Sequence, residues 1–531
     1  MRFIPFVLVA LLTVLLLGLG LAVSLHFLWP LILLAPLLLV GIFDLTQAEH
    51  SLLRLYPISA HFRWFFEWLR PYLREYLLDS DNQGRPFSHD QRALVYKRAK
   101  GIEGIEPFGT KLDVYSPGYE WINHAIQAKS HKGNDYRVLV GGEQCGKPYS
   151  ASVLNISAMS FGSLSGRAVE ALNLGAKLGG FYHDTGEGGI CKYHLRHGGD
   201  LVWEIGTAYF GCRTPDGGFD PERFREKANL DQVKMIEIKL SQGAKPGRGG
   251  MLPGPKVTPE IAEAREVEVG KDVLSPPSHS AFSTPIGMME WIAQLRDLCG
   301  GKPVGFKLCI GHRWEFLALT KAMLETGITP DFIVIDGAEG GTGAAPEELS
   351  DHVGTPLREG LIFAVNALTG TGLRDKIRIA AAGKVFDGHT MAANLALGAD
   401  WCNAARAFMF SVGCVQTKKC HTDKCPTGVA TQNRWRQAGL VVADKAPRVH
   451  NFHKNTVEAL LHYVGAAGLN DPSELRPHHL RIRVNENKVL SSDGVYDFFA
   501  PGVLLDAPQE TIYRRWWAMA DAHSFTPRAV D

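Results

Sequence analysis

Asp331-Phe-Ile-Val-Ile-Asp-Gly-Ala-Glu-Gly-Gly-Thr-Gly343 is a short apolar run that breaks into a glycine-rich polar turn. A run apolar on both faces predicts a strand buried on both sides, as in a parallel sheet. The same pattern recurs outward in both directions, at Val153–Ser157, Gly180–Asp184, Leu201–Ile205, Met235–Leu240, Val304–Ile310, Ile377–Ala382 and Asp400–Arg406, with helical stretches between. Eight such alternations in about 260 residues predict an α/β fold, a (β/α)8 TIM barrel, over residues 151–465. A doubly wound open sheet is the alternative. No Gly-x-Gly-x-x-Gly follows the first run, which weighs against a dinucleotide-binding fold.

In such a barrel the chemistry lies where strands end and loops begin. Lys307 sits inside Val304-Gly-Phe-Lys-Leu-Cys-Ile310 and must pair or lose its charge. Near the strand's end it would face the barrel mouth and meet an anion or a flavin ring; reaching solvent at the strand edge is the plainer reading. Lys239, in Ile236-Glu-Ile-Lys-Leu240, invites the same argument. Gly337 and Gly340-Gly-Thr-Gly343 let backbone approach a ligand and present N–H donors. Gly383-Lys384 follows the seventh run, where barrel phosphate sites often lie. Glu187, between glycines in Thr185-Gly-Glu-Gly-Gly189, suits a general acid/base or an amine holder, against a merely solvated carboxylate.

Composition bounds the rest. Lys+Arg 56 against Asp+Glu 55 leaves a net charge of +1, which disfavours a nucleic-acid binder. With 45% apolar residues the chain is not disordered, and nine cysteines in 531 residues are no disulfide scaffold. Three of them form Cys414-x5-Cys420-x4-Cys425-Pro. Three thiolates so close suit an iron–sulfur cluster, or a structural zinc with His421 as fourth ligand.

From Phe3 to Phe43 there is no Asp, Glu, Lys or Arg. That length predicts two membrane spans, near residues 4–22 and 28–43, with Ser24–Pro30 as the reversal and Trp29 at an interface. A cleaved signal peptide and a single tilted span are the rivals. Arg2 before the hairpin and Arg54, Arg63, Arg70 and Arg74 after it place the catalytic bulk in the cytoplasm, on the inner membrane. The aromatic and arginine-rich stretch 62–76 reads as a helix lying among headgroups or packed on the soluble domain. The predicted domains are thus a hairpin over 1–45, a lead-in over 46–150 with polar turns at 79–84 and 132–135, the barrel, and an extension over 466–531.

Seven stretches in one order carry a resemblance. They are Ser157-Ala-Met-Ser-Phe-Gly-Ser163, Asp184-Thr-Gly-Glu-Gly-Gly189, Gln242-Gly-Ala-Lys-Pro-Gly-Arg-Gly-Gly250, Leu252-Pro-Gly254, Ser275-Pro-Pro277, Gly340-Gly-Thr-Gly-Ala344 and the cysteine motif running on to Gln432. Over about residues 150–435 the chain resembles the FMN-binding domain of glutamate synthase, and as a whole it looks like the stand-alone membrane-associated members of that family. The resemblance implies FMN in the barrel beside a 3Fe-4S cluster held by Cys414, Cys420 and Cys425. It implies flavin contacts from Met159, Ser160 and Lys307, and phosphate contacts from Gly340, Gly341, Gly383, Lys384 and the loop before Arg406. Lys239, Gln242 and Lys245 would lie near substrate and flavin, and Glu187 near ammonia or imine. The implied activity is reduction of 2-iminoglutarate, formed from 2-oxoglutarate and ammonia, to glutamate by electrons passed from cluster to FMN.

An external electron donor, ferredoxin-like or a reductase subunit, would be needed. The chain runs from Met1-Arg2 straight into the apolar segment, so glutamine hydrolysis is not expected and ammonia would come from solution or a separate glutaminase subunit. Arg248, a substrate-side position, stands where the large enzymes are expected to carry an acidic residue. That reversal motivates the alternative of another oxo acid or amine; a non-catalytic membrane electron-transfer subunit is the other.

Overall fold

The computed structural model describes residues 2–78, 80–131 and 136–530. The predicted turn at 132–135 lies outside the described residues, as does Asp79 of the turn at 79–84. The contacts divide the chain into two compact units, Met1–Gln91 and Arg92–Asp531.

In the first unit, helices α1 (Ile4–Ala22) and α2 (Leu31–Thr46) flank a short 3-10 turn at Leu25–Leu28, which holds His26. Helix α1, and the stretch Leu25–Thr46 formed by the 3-10 turn and α2 together, are long and apolar enough to cross a membrane. They approach closely at glycines: a Cβ on Gly41 would lie 2.4 Å from the Phe6 ring. Most of their other side chains stay exposed, Leu11 at 62% and Leu33 at 73% among them. Helix α2 runs past residue 43 to Thr46 and so takes in Asp44. That carboxylate is buried within the unit, accepting from the Ile58 N–H at 2.8 Å and pairing with His61 Nε2 at 2.9 Å. Helix α3 (His61–Leu73) covers most of the aromatic and arginine-rich stretch and has no buried residue.

The second unit is built on a closed barrel of eight parallel strands. They are β1 (Leu154–Ile156), β2 (His183–Asp184), β3 (Leu201–Ile205), β4 (Val233–Lys239), β5 (Val304–Leu308), β6 (Phe332–Asp336), β7 (Arg378–Ala382) and β8 (Trp401–Ala404). Each of the eight apolar runs coincides with one of them, β4 beginning at Val233, two residues before its run. Neighbours in sequence pair, and β8 closes on β1 with Cys402 opposite Leu154. Outer helices follow the strands: α4 (Gly166–Gly179), α5 (Lys192–Leu195), α6 (Pro221–Ala228), α7 (Pro285–Leu298), α8 (Arg313–Thr326), α9 (Leu357–Gly370), α10 (Gly388–Ala396) and α11 (Val442–Ala466). Side-chain caps start several of them where the sequence places Ser, Asp or Thr: Ser165 for α4, Asp220 for α6, Thr284 for α7 and Asp387 for α10.

The lower barrel lumen is apolar. Tyr182, Val202, Met235, Val334, Ala380 and Trp401 pack with Val140 and Ala151 of an antiparallel hairpin, Arg137–Val140 with Tyr149–Ser152, that plugs this end. The C-terminal extension packs on the outer shell. Its strand Leu480–Asn485 pairs with Glu120–Ile122. Helix α12 (Arg514–Met519) lies on α8, where Lys321 Nζ donates to the carbonyls of Trp517 and Ala520 at 2.7 and 2.9 Å, and the Arg313 guanidinium sits 4.3 Å over the Trp516 ring.

Candidate active site

The upper lumen is charged instead of apolar. Lys239, the last residue of β4, places its ammonium 3.0 Å from Glu187 Oε2, on the loop after β2. Glu187, Lys239, Gln242 and Arg248 line one small cleft with Thr207, Gly250 and Pro277. The glycines there are required by close approach: a Cβ on Gly250 would lie 2.2 Å from Glu187 Oε1. Burial alone would raise the Glu187 carboxyl. The Lys239 ammonium, with Arg265 and Lys245 behind it, outweighs burial and holds Glu187 below the usual carboxylate range. Glu187 is therefore a carboxylate at neutral pH. Lys245 is buried, and burial lowers its ammonium. Arg248 is exposed at the rim.

Lys307 is fully inside the lumen and does not reach solvent; its side chain is 5% exposed. Its ammonium forms a close ion pair with Glu204 of β3 and a second, at 3.0 Å, with Glu237 of β4. Sequence reasoning passed over both glutamates, and Arg265. The signal was present: a carboxylate within Leu201–Ile205 and another in Ile236-Glu-Ile238 each interrupt a buried strand as Lys307 does. Arg265 lies on a helix far along the chain, and only the fold brings its guanidinium to the Phe161 carbonyl at 3.0 Å and near Glu187.

The glycine loops meet on the other side of the mouth. Asp336 accepts from the Gly243 N–H at 2.8 Å, tying the loop after β4 to the end of β6. Arg406 donates to the Glu339 carbonyl at 2.6 Å, beside Gly341, and the Glu339 carboxylate accepts from the Leu357 N–H at the start of α9. Gly383 has φ +150°, and a Cβ there would meet Leu357 and Glu339 at 3.4–3.5 Å. Lys384 follows in a left-handed conformation, φ 48°. Met159 is buried and Ser160 half-buried at the end of β1, where a Cβ on Gly186 would press on the Ser160 amide at 2.5 Å. Backbone kept bare at 340–341 and 383, with the half-buried Arg406 guanidinium behind it, is a cradle that fits a phosphate-bearing cofactor.

Cys414, Cys420 and Cys425 are free thiols on one loop after β8, the first two half-buried and the third buried. Burial opposes ionisation of Cys425, but the amides around Ala430 and Thr427 prevail and bring its thiol below the ordinary value. A Cβ on Gly343 would lie 3.7 Å from the Cys420 Cβ, so the cysteine loop abuts the β6 glycine loop. Cys420 and Cys425 lie close enough for their charges to interact, but among the described residues the three sulfurs are not grouped within 4.8 Å of one another, so the loop supplies soft donors beside the cradle without bringing all three together.

A family model described as the conserved region in glutamate synthase matches residues 132–470. The chain belongs to the glutamate synthase family. It is 39% identical to the glutamate synthase large subunit-like protein YerD of Bacillus subtilis, over 86% of this chain and 94% of that one. It is 33% identical to the archaeal NADPH glutamate synthase of Archaeoglobus fulgidus, over 62% of this chain and 61% of that one. Against the NADPH glutamate synthase large chain of Bacillus subtilis it is 35% identical, over 52% of this chain but only 17% of that one. Membership makes the chain a glutamate synthase-like oxidoreductase; the parts of the longer relatives outside the match have no counterpart in the alignment.

Proposed function

We propose that the protein is a membrane-anchored, FMN- and 3Fe-4S-dependent enzyme that reduces 2-iminoglutarate, formed from 2-oxoglutarate and ammonia, to glutamate. The carrying observation is the Glu187–Lys239 ion pair, 3.0 Å apart, in one cleft with Gln242 and Arg248 at the barrel mouth. Met159, Ser160, Gly340, Gly341, Gly383 and Lys384 would hold FMN, which would supply hydride when bound.

The chain's residues do the remainder. Lys239 and Lys245 offer cations to the two carboxylates of the oxo acid, and Gln242 offers an amide. Ionised Glu187 holds ammonium beside the carbonyl carbon and takes its proton as the imine forms. Small, glycine-lined space around the pair limits the water that competes with ammonia. Arg248 at the rim supports the second reading, another oxo acid or amine, because a rim cation favours a further anionic group on the substrate.

Electrons would enter by the cluster loop, where Lys418, Lys424, Arg434 and Arg436 are exposed. That charge suits an acidic ferredoxin-like carrier or an acidic face of a reductase subunit. The test is anaerobic purification in detergent with assay of flavin, iron and sulfide, followed by reduction and mixing with 2-oxoglutarate and ammonium. Fast flavin reoxidation that requires both is expected. Flavin indifferent to both, but reoxidised by a different oxo acid or amine, would replace the substrate and leave the site standing.

A further inference from the structure

Below the cleft, the lumen carries more acid than one lysine can neutralise. Asp184 of β2, Glu204 of β3 and Glu237 of β4 each expose 1%, and they place carboxylate oxygens within 4.8 Å of one another. One ammonium, Lys307, sits among them. Asp336 of β6 faces the same lysine, Lys239 lies above, and Tyr182 closes the floor with its hydroxyl bonded to Asn403. Three ionised carboxylates around one ammonium in a buried lumen are too costly to persist, so the set retains a proton. A divalent cation is the other way to neutralise such a set, but the Lys307 ammonium already fills the space between Glu204 and Glu237.

The retained proton has a route. Glu237 Oε1, which has no hydrogen-bond partner among the described residues, lies 3.0 Å from Lys307 Nζ as an ion pair, and Lys307 donates to Glu204 Oε2 in the close pair. The other oxygen, Glu204 Oε1, is buried and has no hydrogen-bond partner among the described residues; it faces Lys239 Nζ at 4.0 Å. Lys239 then meets Glu187 at 3.0 Å. The longest link in this series is the 4.0 Å ion pair between Glu204 and Lys239.

We propose that Glu237 stores a proton in the barrel lumen and that Glu204 is the positioning residue that passes it to Lys239, which re-protonates the cleft during turnover. The step balances as one proton. Lys239 gives an N–H proton to the group bound in the cleft and regains one from Glu204. Lys307 gives a proton to Glu204 as it takes one from the Glu237 carboxyl, and Glu204 hands that proton on to Lys239; Glu237 is left as a carboxylate and is re-protonated between turnovers by the same path run in reverse from the cleft. The inference rests on the reductive-amination reading, which consumes protons as well as electrons. Burial, opposed by the Lys307 ammonium, still leaves Glu237 up at about 7, and burial with the charges of Glu237 and Glu204 pushes Asp184 up as well, in keeping with the geometry.

The test separates storage from turnover. Infrared spectra of the intact, as-purified protein at neutral pH should contain the carbonyl band of buried protonated carboxyl, and Glu237→Gln should remove the component that titrates near neutrality. That measurement needs no substrate, so it holds even if iminoglutarate proves to be the wrong substrate. In turnover, both Glu204→Gln and Glu237→Gln should lower kcat on the order of 100-fold, the scale of a lost proton-transfer group, with KM for the oxo acid little changed. Their pH profiles should lose the limb near neutrality, and Glu204→Asp should restore part of kcat. If Glu237→Gln fails to fold, disappearance of that component of the wild-type band on raising the pH from 6 to 9 (roughly the range spanning the Glu237 value) serves instead. No protonated-carboxyl band in the wild type, unaltered pH profiles in both variants, or stoichiometric uptake of manganese by the lumen would each overturn the proposal.

Discussion

Lys307 is the residue on which the upper lumen depends, and its pairing can be tested by stability alone. Replacing it by Met leaves Glu204 and Glu237 buried without a cation, and breaking a buried pair this way costs about 3–5 kcal/mol. The cost has a sign in pH. Without the ammonium the Glu237 carboxyl, already raised by burial, is pushed further above its value in the unfolded chain. Between the usual carboxylate range and the raised value the native state then binds more protons, so stability falls as pH rises. Urea unfolding of Lys307→Met should show a deficit that is small near pH 5 and grows toward pH 8 (roughly the window opened by a carboxyl lifted to about 7). Equal deficits at both ends would mean that the lysine acts by packing. At this scale the sequence was only half legible. Glu187 and Lys239 stand out by type and by their place after a strand, but the partners of Lys307 do not, because which glutamates share its layer is set by the stagger between strands. In the barrel Lys239 is level with Lys307, and Glu237 with Gly305 two residues below.

Strand ends explain most of what the apolar runs could not define. The fifth run continues to Ile310, yet β5 stops at Leu308 because the Cys309 N–H leaves the ladder to donate to Ser241 Oγ at 2.9 Å. The second run begins at Gly180, but that glycine is the left-handed cap of α4, φ 65°, so β2 is reduced to His183–Asp184. Run existence was legible because both faces of each strand are buried; run ends were not, because side chains on other loops fix them. The loops after β4 and β6 are locked in the same manner. A Cβ on Gly243 would fall 1.7 Å from the Gly337 carbonyl oxygen, while the Gly243 N–H is held by Asp336. Gly243→Ala must therefore part the two loops that carry Gln242 and Gly340. Since both lie outside the ladder, the expected result is protein with native far-ultraviolet circular dichroism and a flavin content reduced severalfold. Full flavin occupancy in that variant would remove Gly340 and Gly341 from the cofactor cradle.

At the scale of the whole chain the two units differ in what their surfaces are made for. The second buries its apolar side chains in and around the barrel, and its C-terminal extension, whose packing the sequence left open, is fastened to the outer helices by Lys321 and Arg313. The first exposes its apolar side chains along two stretches of membrane-spanning length, Ile4–Ala22 and Leu25–Thr46, and spends Asp44, the one buried carboxylate among its described residues, on fixing the chain just beyond α2 through Ile58 and His61. Exposed leucines on that scale are costly in water, at about 25 cal/mol for each Å² of apolar surface, and cost nothing in lipid. A core helix of a soluble protein would pass the same length test but would be mostly buried; these spans are 11% and 6% buried. Deleting residues 2–46 should therefore move the protein from the carbonate-resistant membrane fraction to the salt-extractable or soluble one while the barrel keeps its circular dichroism. The distinction between those two fractions is informative. Helix α3 presents Phe65, Phe66 and Trp68 exposed, with Arg63 and Arg70 on the same short helix. If that helix lies among anionic headgroups, the truncated protein will bind vesicles containing phosphatidylserine at low salt and leave them at high salt, since charge attraction of this kind is screened within about 8 Å at physiological ionic strength. Truncated protein that ignores such vesicles at every ionic strength would confine anchoring to the hairpin. Full-length protein recovered without detergent from the soluble fraction would refute the anchoring itself.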